Sequence, residues 1–249
     1  MDDHVIAYRL TPEADATREL ALTFDAERFT PIGPAPDAPP EWAALAFRQC
    51  PHCPLDPDRL PHCPLAVRLA PVVERFGALI SCDRVHLEVT LRGKRITAAT
   101  SAQRAMGSLM GLAIAGSECP YTLFLRPMAR FHVPLAGRAE TLFRAAATYL
   151  LGQSLRRRNG LGADFDMAGL AHRYRQLETV NAAVAERLRA ASRTDASVNA
   201  IILLDTYAKA VPMVIDADLE ELRPLFAPYL SPDPPDRPEV PAPSTRSRS

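Results

Sequence analysis

Residues 49–65 read QCPHCPLDPDRLPHCPL, and no other segment limits the fold so sharply. Prolines stand at 51, 54, 57, 61 and 64. Each lacks a backbone N–H and fixes its own φ, so neither a continuous helix nor a central strand can run through the segment. Pro-His-Cys-Pro-Leu occurs at 51–55 and again at 61–65. A proline-rich, polar loop of this length has little apolar surface to bury, so something other than a core must hold it.

The cysteines point to what that is. Cys50, Cys53 and Cys63 have the spacing Cys-x2-Cys-x9-Cys, and each is followed by proline. Cys119 is also followed by proline, whereas Cys82 is followed by Asp83. Two thiolates two residues apart can grip one ion from a single turn, and further ligands complete a tetrahedron. The expected metal ligands are therefore Cys50, Cys53, Cys63 and Cys119, with His62, His52 or Cys82 as substitutes at the fourth position. Zinc accepts Cys₄ or Cys₃His, and an iron–sulfur cluster takes four cysteines; the residues leave the two open. Pro54 has no N–H to direct at a sulfur, unlike the glycine common in zinc knuckles. A rival reading is thiol redox chemistry, because Cys50-Pro51-His52-Cys53 matches the active-site tetrapeptide of disulfide oxidoreductases. There the first cysteine opens a helix that lowers its pKa; Pro-Leu-Asp-Pro-Asp after Cys53 cannot form one. Free buried thiols are the third reading, and they suit Cys82 best.

The 249 residues carry 29 basic and 29 acidic side chains, so the net charge is zero. That excludes a globally basic nucleic-acid binder. No leader-like apolar run follows the N-terminus, and Ala105–Ala115 is too short to span a bilayer. A cytoplasmic protein is expected, with neither membrane nor nucleic acid as partner; protein partners or a homo-oligomer stay open. In that compartment clustered cysteines suggest metal or redox chemistry rather than disulfides.

Along the chain the expected class is α+β. A small antiparallel sheet from the N-terminal half packs with a mainly helical C-terminal half. Residues 1–30 form a hairpin segment with strands at 4–10 and 18–24, and 31–40 is a proline-rich linker. Residues 41–230 form the main domain, and 231–249 a disordered tail. In RVHLEVTL (84–91) Val85, Leu87, Val89 and Leu91 alternate with polar residues, and Arg92-Gly93 turns the chain into a second strand at 94–98. Thr100 or Ser101 caps a helix to Ala115. A helix is expected at 66–79, kinked or starting late at Pro71, and a short one at 41–47. Residues 121–126 read as a buried strand, with alternation continuing over 127–134. Helices follow at 138–157, 166–192, 196–210 and 216–229.

In that alternation Arg126, Arg130 and His132 share one face with Met128. Two guanidiniums and an imidazole could bind a phosphate or carboxylate ligand beside Cys119, which makes an enzyme acting on an anionic small molecule the alternative function. Arg156–Arg158 match a helix C-terminus, and His172 and Tyr174 fall among the core positions Leu170, Leu177, Val180 and Val184. No phosphate-binding glycine loop or hydrolase motif is present. QCPHCPL…PHCPLA, GSECP, RPMARFHVPLA and the ETLFR helix resemble a bacterial protein family without assigned activity, over about residues 41–226. The resemblance implies that the cysteine loop and the RPMARFH segment belong together, and it transfers no catalytic residue.

Overall fold

The computed structural model describes residues 3–13, 15–33, 38–191, 194–217 and 219–231; the expected tail beyond Ser231 lies outside these. Five strands form one antiparallel sheet: β1 (His4–Pro12), β2 (Arg18–Phe24), β3 (Pro31–Ile32), β4 (Arg84–Leu91) and β5 (Lys94–Ser101), in the order β3-β2-β1-β4-β5. β1 is the central strand, paired with β2 and β4, so the N-terminal hairpin and the later hairpin are halves of a single sheet. The 31–40 segment leaves this sheet through the short β3 edge, and residues 34–37 of it lie outside the described residues. Arg92 and Gly93 both have positive φ, which is what a two-residue hairpin turn matched to the strand twist needs.

Alternation decides which face is covered. Ile6, Tyr8 and Leu10 of β1 and Val85, Leu87 and Val89 of β4 are buried. The opposite face is polar, with Glu88 between Arg9 at 3.7 Å and Arg95 at 3.6 Å. Against the apolar face lie α1 (Pro64–Phe76) and α2 (Ala102–Ala115). α2 is apolar nearly all round because it is covered on both sides, by the sheet and α1 on one and by α6 on the other. The helical half consists of α3 (Arg126–Arg130), α4 (Arg138–Arg158), α5 (Ala168–Ala191), α6 (Ala196–Asp216) and the short α7 (Ala227–Leu230). By length and composition alone α6 could cross a membrane, with mean hydropathy 1.5; it packs on α2 and α5, and 39% of that apolar window is buried. The class is α+β, with the strands and α1 in the N-terminal half and the remaining helices after β5.

Several elements differ from the expectation. Residues 121–126 are not a strand: Leu123–Leu125 form a 3₁₀ turn that runs into α3. A six-residue apolar run cannot by itself distinguish a buried strand from a buried helical turn, and Pro127 in the first turn of α3 suits a helix start. The alternating face of 126, 128, 130 and 132 is therefore absent. α1 starts at Pro64, and Pro71 lies inside it without ending it. α6 likewise continues through Pro212 to Asp216. Expected helices at 41–47 and 216–229 shrink to 3₁₀ turns at Glu41–Ala43 and Arg223–Phe226, the latter followed by α7.

The α2 C-terminus tests the packing of the sheet. A Cβ on Gly116 would lie inside contact distance of the Phe24 ring edge, with Cζ at 2.9 Å. Phe24 is fully buried and stacked on Phe29, centroids 4.2 Å apart, so it cannot yield. Gly116→Ala should cost about 1–3 kcal/mol by overpacking, read from urea unfolding; an unchanged midpoint would mean that the ring has room to move.

Candidate metal centre

The loop is closed at its base by one bridge of two backbone hydrogen bonds. Ala44 and His62 form an isolated antiparallel bridge. The Leu45 N–H donates to the Pro61 carbonyl, and the Cys63 N–H to the Ala43 carbonyl, both at 2.8 Å. Between these ends the prolines forbid a ladder, and local bonds take over. The Cys53 N–H donates to the Cys50 carbonyl at 3.0 Å, which curls Cys50-Pro51-His52-Cys53 into one turn. Asp56 accepts from the Asp58 N–H at 3.0 Å through its side chain, a local turn of the kind aspartate favours. Gln49 Nε2 donates to the Leu55 carbonyl at 2.9 Å.

Two side chains fasten this loop to the helical half. Arg187 of α5 is buried, and its guanidinium donates to the carbonyls of Trp42 (2.7 Å), Ala44 (2.8 Å) and Leu45 (3.1 Å). Tyr121 donates its hydroxyl to the His52 carbonyl at 2.5 Å, and the two rings pack with centroids 4.1 Å apart. Tyr121 stands two residues after Cys119, so it joins the Cys50–Cys53 turn to the Cys119 turn. That second turn is pinned by Thr122, whose N–H and hydroxyl both donate to the Cys119 carbonyl, at 3.0 and 3.1 Å.

Cys63 occupies the N-cap position of α1 without a side-chain capping bond, Cys119 is buried, and Cys50 and Cys63 pack against the core. Burial, then the neighbouring Cys63 and Cys53, push the Cys50 thiol up to about 11. Burial foremost pushes Cys119 up to about 12, opposed by a backbone hydrogen bond at Tyr121 and reinforced by Cys63, Cys50 and Cys53. Cys63 and Cys53 thus act on Cys50, all three act on Cys119, and the Arg187 cation acts on Cys50, which places the four cysteines and Arg187 in one neighbourhood. Cys82 is exposed and does not join them. Both ring nitrogens of His52 are buried and have no hydrogen-bond partner among the described residues. As the protein stands, no set of three or more His, Cys, Asp or Glu side chains among the described residues is gathered tightly enough to hold an ion. The arrangement is a neighbourhood of thiols and not a finished coordination shell.

Arg126, Arg130 and His132 do not converge. Arg126 faces Glu118 at 3.9 Å, and its buried Nε has no hydrogen-bond partner among the described residues. Arg130 Nη1 lies 3.1 Å from His4 Nδ1 at the sheet. His132 Nε2 lies 2.6 Å from the Tyr8 hydroxyl, which is 2.7 Å from Ser108 Oγ. Ser108 also accepts from the Leu135 N–H at 3.0 Å. The chain of bonds is complete when Ser108 donates to Tyr8 and Tyr8 donates to a neutral His132.

Burial, and next the Arg144 cation, hold His132 down to about 3, against 6.5 for an exposed histidine. The unfolded chain binds a proton that the folded one refuses, so stability falls as pH drops from about 6.5 towards 3. The slope contribution is at most about 1.4 kcal/mol per pH unit. His132→Asn should flatten the stability profile between pH 4 and 6, measured by urea unfolding at each pH. An unchanged slope would mean that His132 is protonated in the fold.

Arg187, Tyr121 and the Tyr8–Ser108–His132 chain were not singled out from sequence. Arg187 had a usable signal, since it occupies an apolar position of the α5 period beside Val184 and Leu188. Fold and site together define an α+β protein whose Cys-Pro loop is strapped to a helical half. The chain belongs to the family described as a domain of unknown function, DUF6901, whose family model matches residues 6–227. Among curated proteins and among solved structures, nothing matches.

Proposed function

We propose that Cys50, Cys53, Cys63 and Cys119 hold one metal centre, a zinc ion or an iron–sulfur cluster, in a cytoplasmic protein. Its role is to fasten the Cys-Pro loop to the start of α1 and to the turn after α2. One observation carries this reading: every cysteine followed by proline lies in one neighbourhood, although 55 residues separate Cys63 from Cys119, and the cysteine that breaks the pattern is exposed elsewhere. Coordination would replace the thiol protons and draw the sulfurs closer, a movement the loop permits because few bonds hold its interior. His52, with two unpartnered nitrogens at the same place, is the substitute ligand if one thiol stays out.

Thiol redox chemistry at Cys50 and Cys53 draws less support. A reactive cysteine needs a lowered pKa, whereas Cys50 is pushed up and no helix opens behind it. Catalysis on the Arg126, Arg130 and His132 face draws less again, since each of the three has a different partner.

Anaerobic purification with elemental analysis and a visible spectrum tests the proposal. One equivalent of zinc in a colourless protein, or iron and sulfide with broad brown absorption, supports it. Cys119→Ser should then lower metal content and Cys82→Ser leave it unchanged. The reverse outcome, or a metal-free protein, overturns it.

A further inference from the structure

A cavity of about 150 Å³ lies among α2, α4, α5 and α6, remote in sequence from the cysteine loop. Most of its wall is apolar. On the α2 side the wall is opened by Gly107 and Gly111, one turn apart and facing α6. A Cβ on Gly107 would meet Leu203 Cδ2 at 3.5 Å and the Ala200 carbonyl oxygen at 3.7 Å, and one on Gly111 would meet Leu204 Cδ2 at 3.3 Å. Glycine inside a helix is unfavourable relative to alanine, and at these two places alanine fits with little adjustment. What the glycines keep is the close approach of α2 to Leu203 and Leu204 of α6, both of which line the cavity, so two added methyl groups would press those side chains toward it.

Beside Ser108, Thr141, Asn181 and Tyr207, the polar part of the wall carries two donors with unused N–H or O–H groups. Arg144 of α4 lines the cavity and uses Nη2 on the carbonyls of Met128 (2.5 Å) and Phe131 (3.0 Å). Its Nε and Nη1 carry no hydrogen bond, and no carboxylate pairs with it, among the described residues. Glu140, one turn earlier, acts on it electrostatically without forming an ion pair. Tyr174 of α5 lines the same cavity, is 4% exposed, and its hydroxyl has no hydrogen-bond partner among the described residues. Arg144 is near enough to act on that hydroxyl. His132, which also lines the cavity, is spent on Tyr8 through Nε2.

A guanidinium and a phenol hydroxyl, both short of an acceptor, thus share the wall of an apolar space. Such donors suit an anionic group with planar oxygens, and the wall suits a compact hydrocarbon body. An apolar cavity of this size has room for a single six-membered ring. We propose that this cavity binds a small monocarboxylate with a ring-sized apolar body, its carboxylate on Arg144 and Tyr174 and its body against Gly107 and Gly111. The site is independent of the metal centre and moves the anion-binding role from Arg126 and Arg130 to Arg144.

Benzoate is the probe, titrated calorimetrically into the full chain, with benzyl alcohol and benzylamine as neutral and cationic counterparts of the same size. Saturable benzoate binding is expected, with benzyl alcohol weaker by roughly tenfold or more and benzylamine not saturating. Arg144→Gln should weaken benzoate by a similar factor. Because Arg144 also braces two carbonyls, Gly107→Ala with Gly111→Ala is the second test. That variant should weaken benzoate binding while raising the Tm of the ligand-free protein. The proposal is overturned if benzyl alcohol binds as tightly as benzoate, if the double alanine variant binds benzoate unchanged, or if benzoate fails to saturate the wild-type chain.

Discussion

On the proposed metal centre, removing the ion or cluster should free residues 49–65 and leave the helices standing. In hydrogen exchange, chelator-treated or cluster-stripped protein is expected to exchange the amides of this loop at least about 100-fold faster than the loaded form, with α5 and α6 unchanged. The reason is the poverty of other restraints. Of the three large apolar side chains in the segment, Leu60 is exposed, Leu55 is half-buried, and only Leu65, already in α1, belongs to the core. Ordering costs about 1–2 kcal/mol per residue before the discount for prolines, and one buried leucine contributes about 1.5–3 kcal/mol. Structural zinc supplies ~10–16 kcal/mol in small peptides, far more than a 100-fold change in exchange requires. α5 and α6 bury Leu177, Val184, Leu188, Ile201 and Val211 against each other and the core, independently of any ion. Equal protection of the loop in both forms would return the cysteines to the status of buried thiols.

Arg187→Met should be the most damaging single substitution outside the sheet core. It removes the guanidinium donors from three carbonyls, Trp42, Ala44 and Leu45, in a setting where Arg187 itself is 2% exposed; Ala44 keeps the Phe47 N–H at 3.1 Å, and Trp42 and Leu45 lose the donor. A buried acceptor without a partner costs about 1–3 kcal/mol, so a loss of about 2–5 kcal/mol is expected in denaturant unfolding. Arg187→Lys keeps the charge but not the planar fork, and should recover part of the loss. The same pair of variants separates two effects on the metal. Arg187 lowers the thiol pKa of Cys50, against burial and the other cysteines, so the methionine variant should hold metal more weakly than the lysine variant. A loss below about 1 kcal/mol for Arg187→Met would show that water replaces the guanidinium at little cost.

Where the sequence was legible, local pattern and tertiary environment agreed. RVHLEVTL alternates because β4 has one covered and one open face, and Val85, Leu87 and Val89 are buried as their spacing requires. The Leu170–Val184 spacing likewise matches the buried stripe of α5. Agreement failed where packing overrode a local signal. Pro71 reads as a kink or a late start, yet α1 already begins at Pro64, with Leu69 and Val72 buried on either side of Pro71; the helix expected to end at 210, before Pro212, runs on to Asp216, where Val211 and Val214 are buried. RPMARFH alternates on paper, but Pro127 sits in the first turn of α3 and the sheet already ends at β5. The cysteine loop was visible from its repeat. Its two straps, Arg187 and Tyr121, were not, because a hydrogen bond between residues 145 or 69 positions apart leaves no periodic trace.

X-ray absorption at the metal edge of anaerobically purified protein tests the central claim most directly. The account predicts a bound metal whose first shell is sulfur, four donors at about 2.3 Å for zinc, lost on Cys63→Ser with Cys119→Ser and kept on Cys82→Ser. A shell dominated by oxygen and nitrogen, or one that survives loss of Cys63 and Cys119, would contradict it.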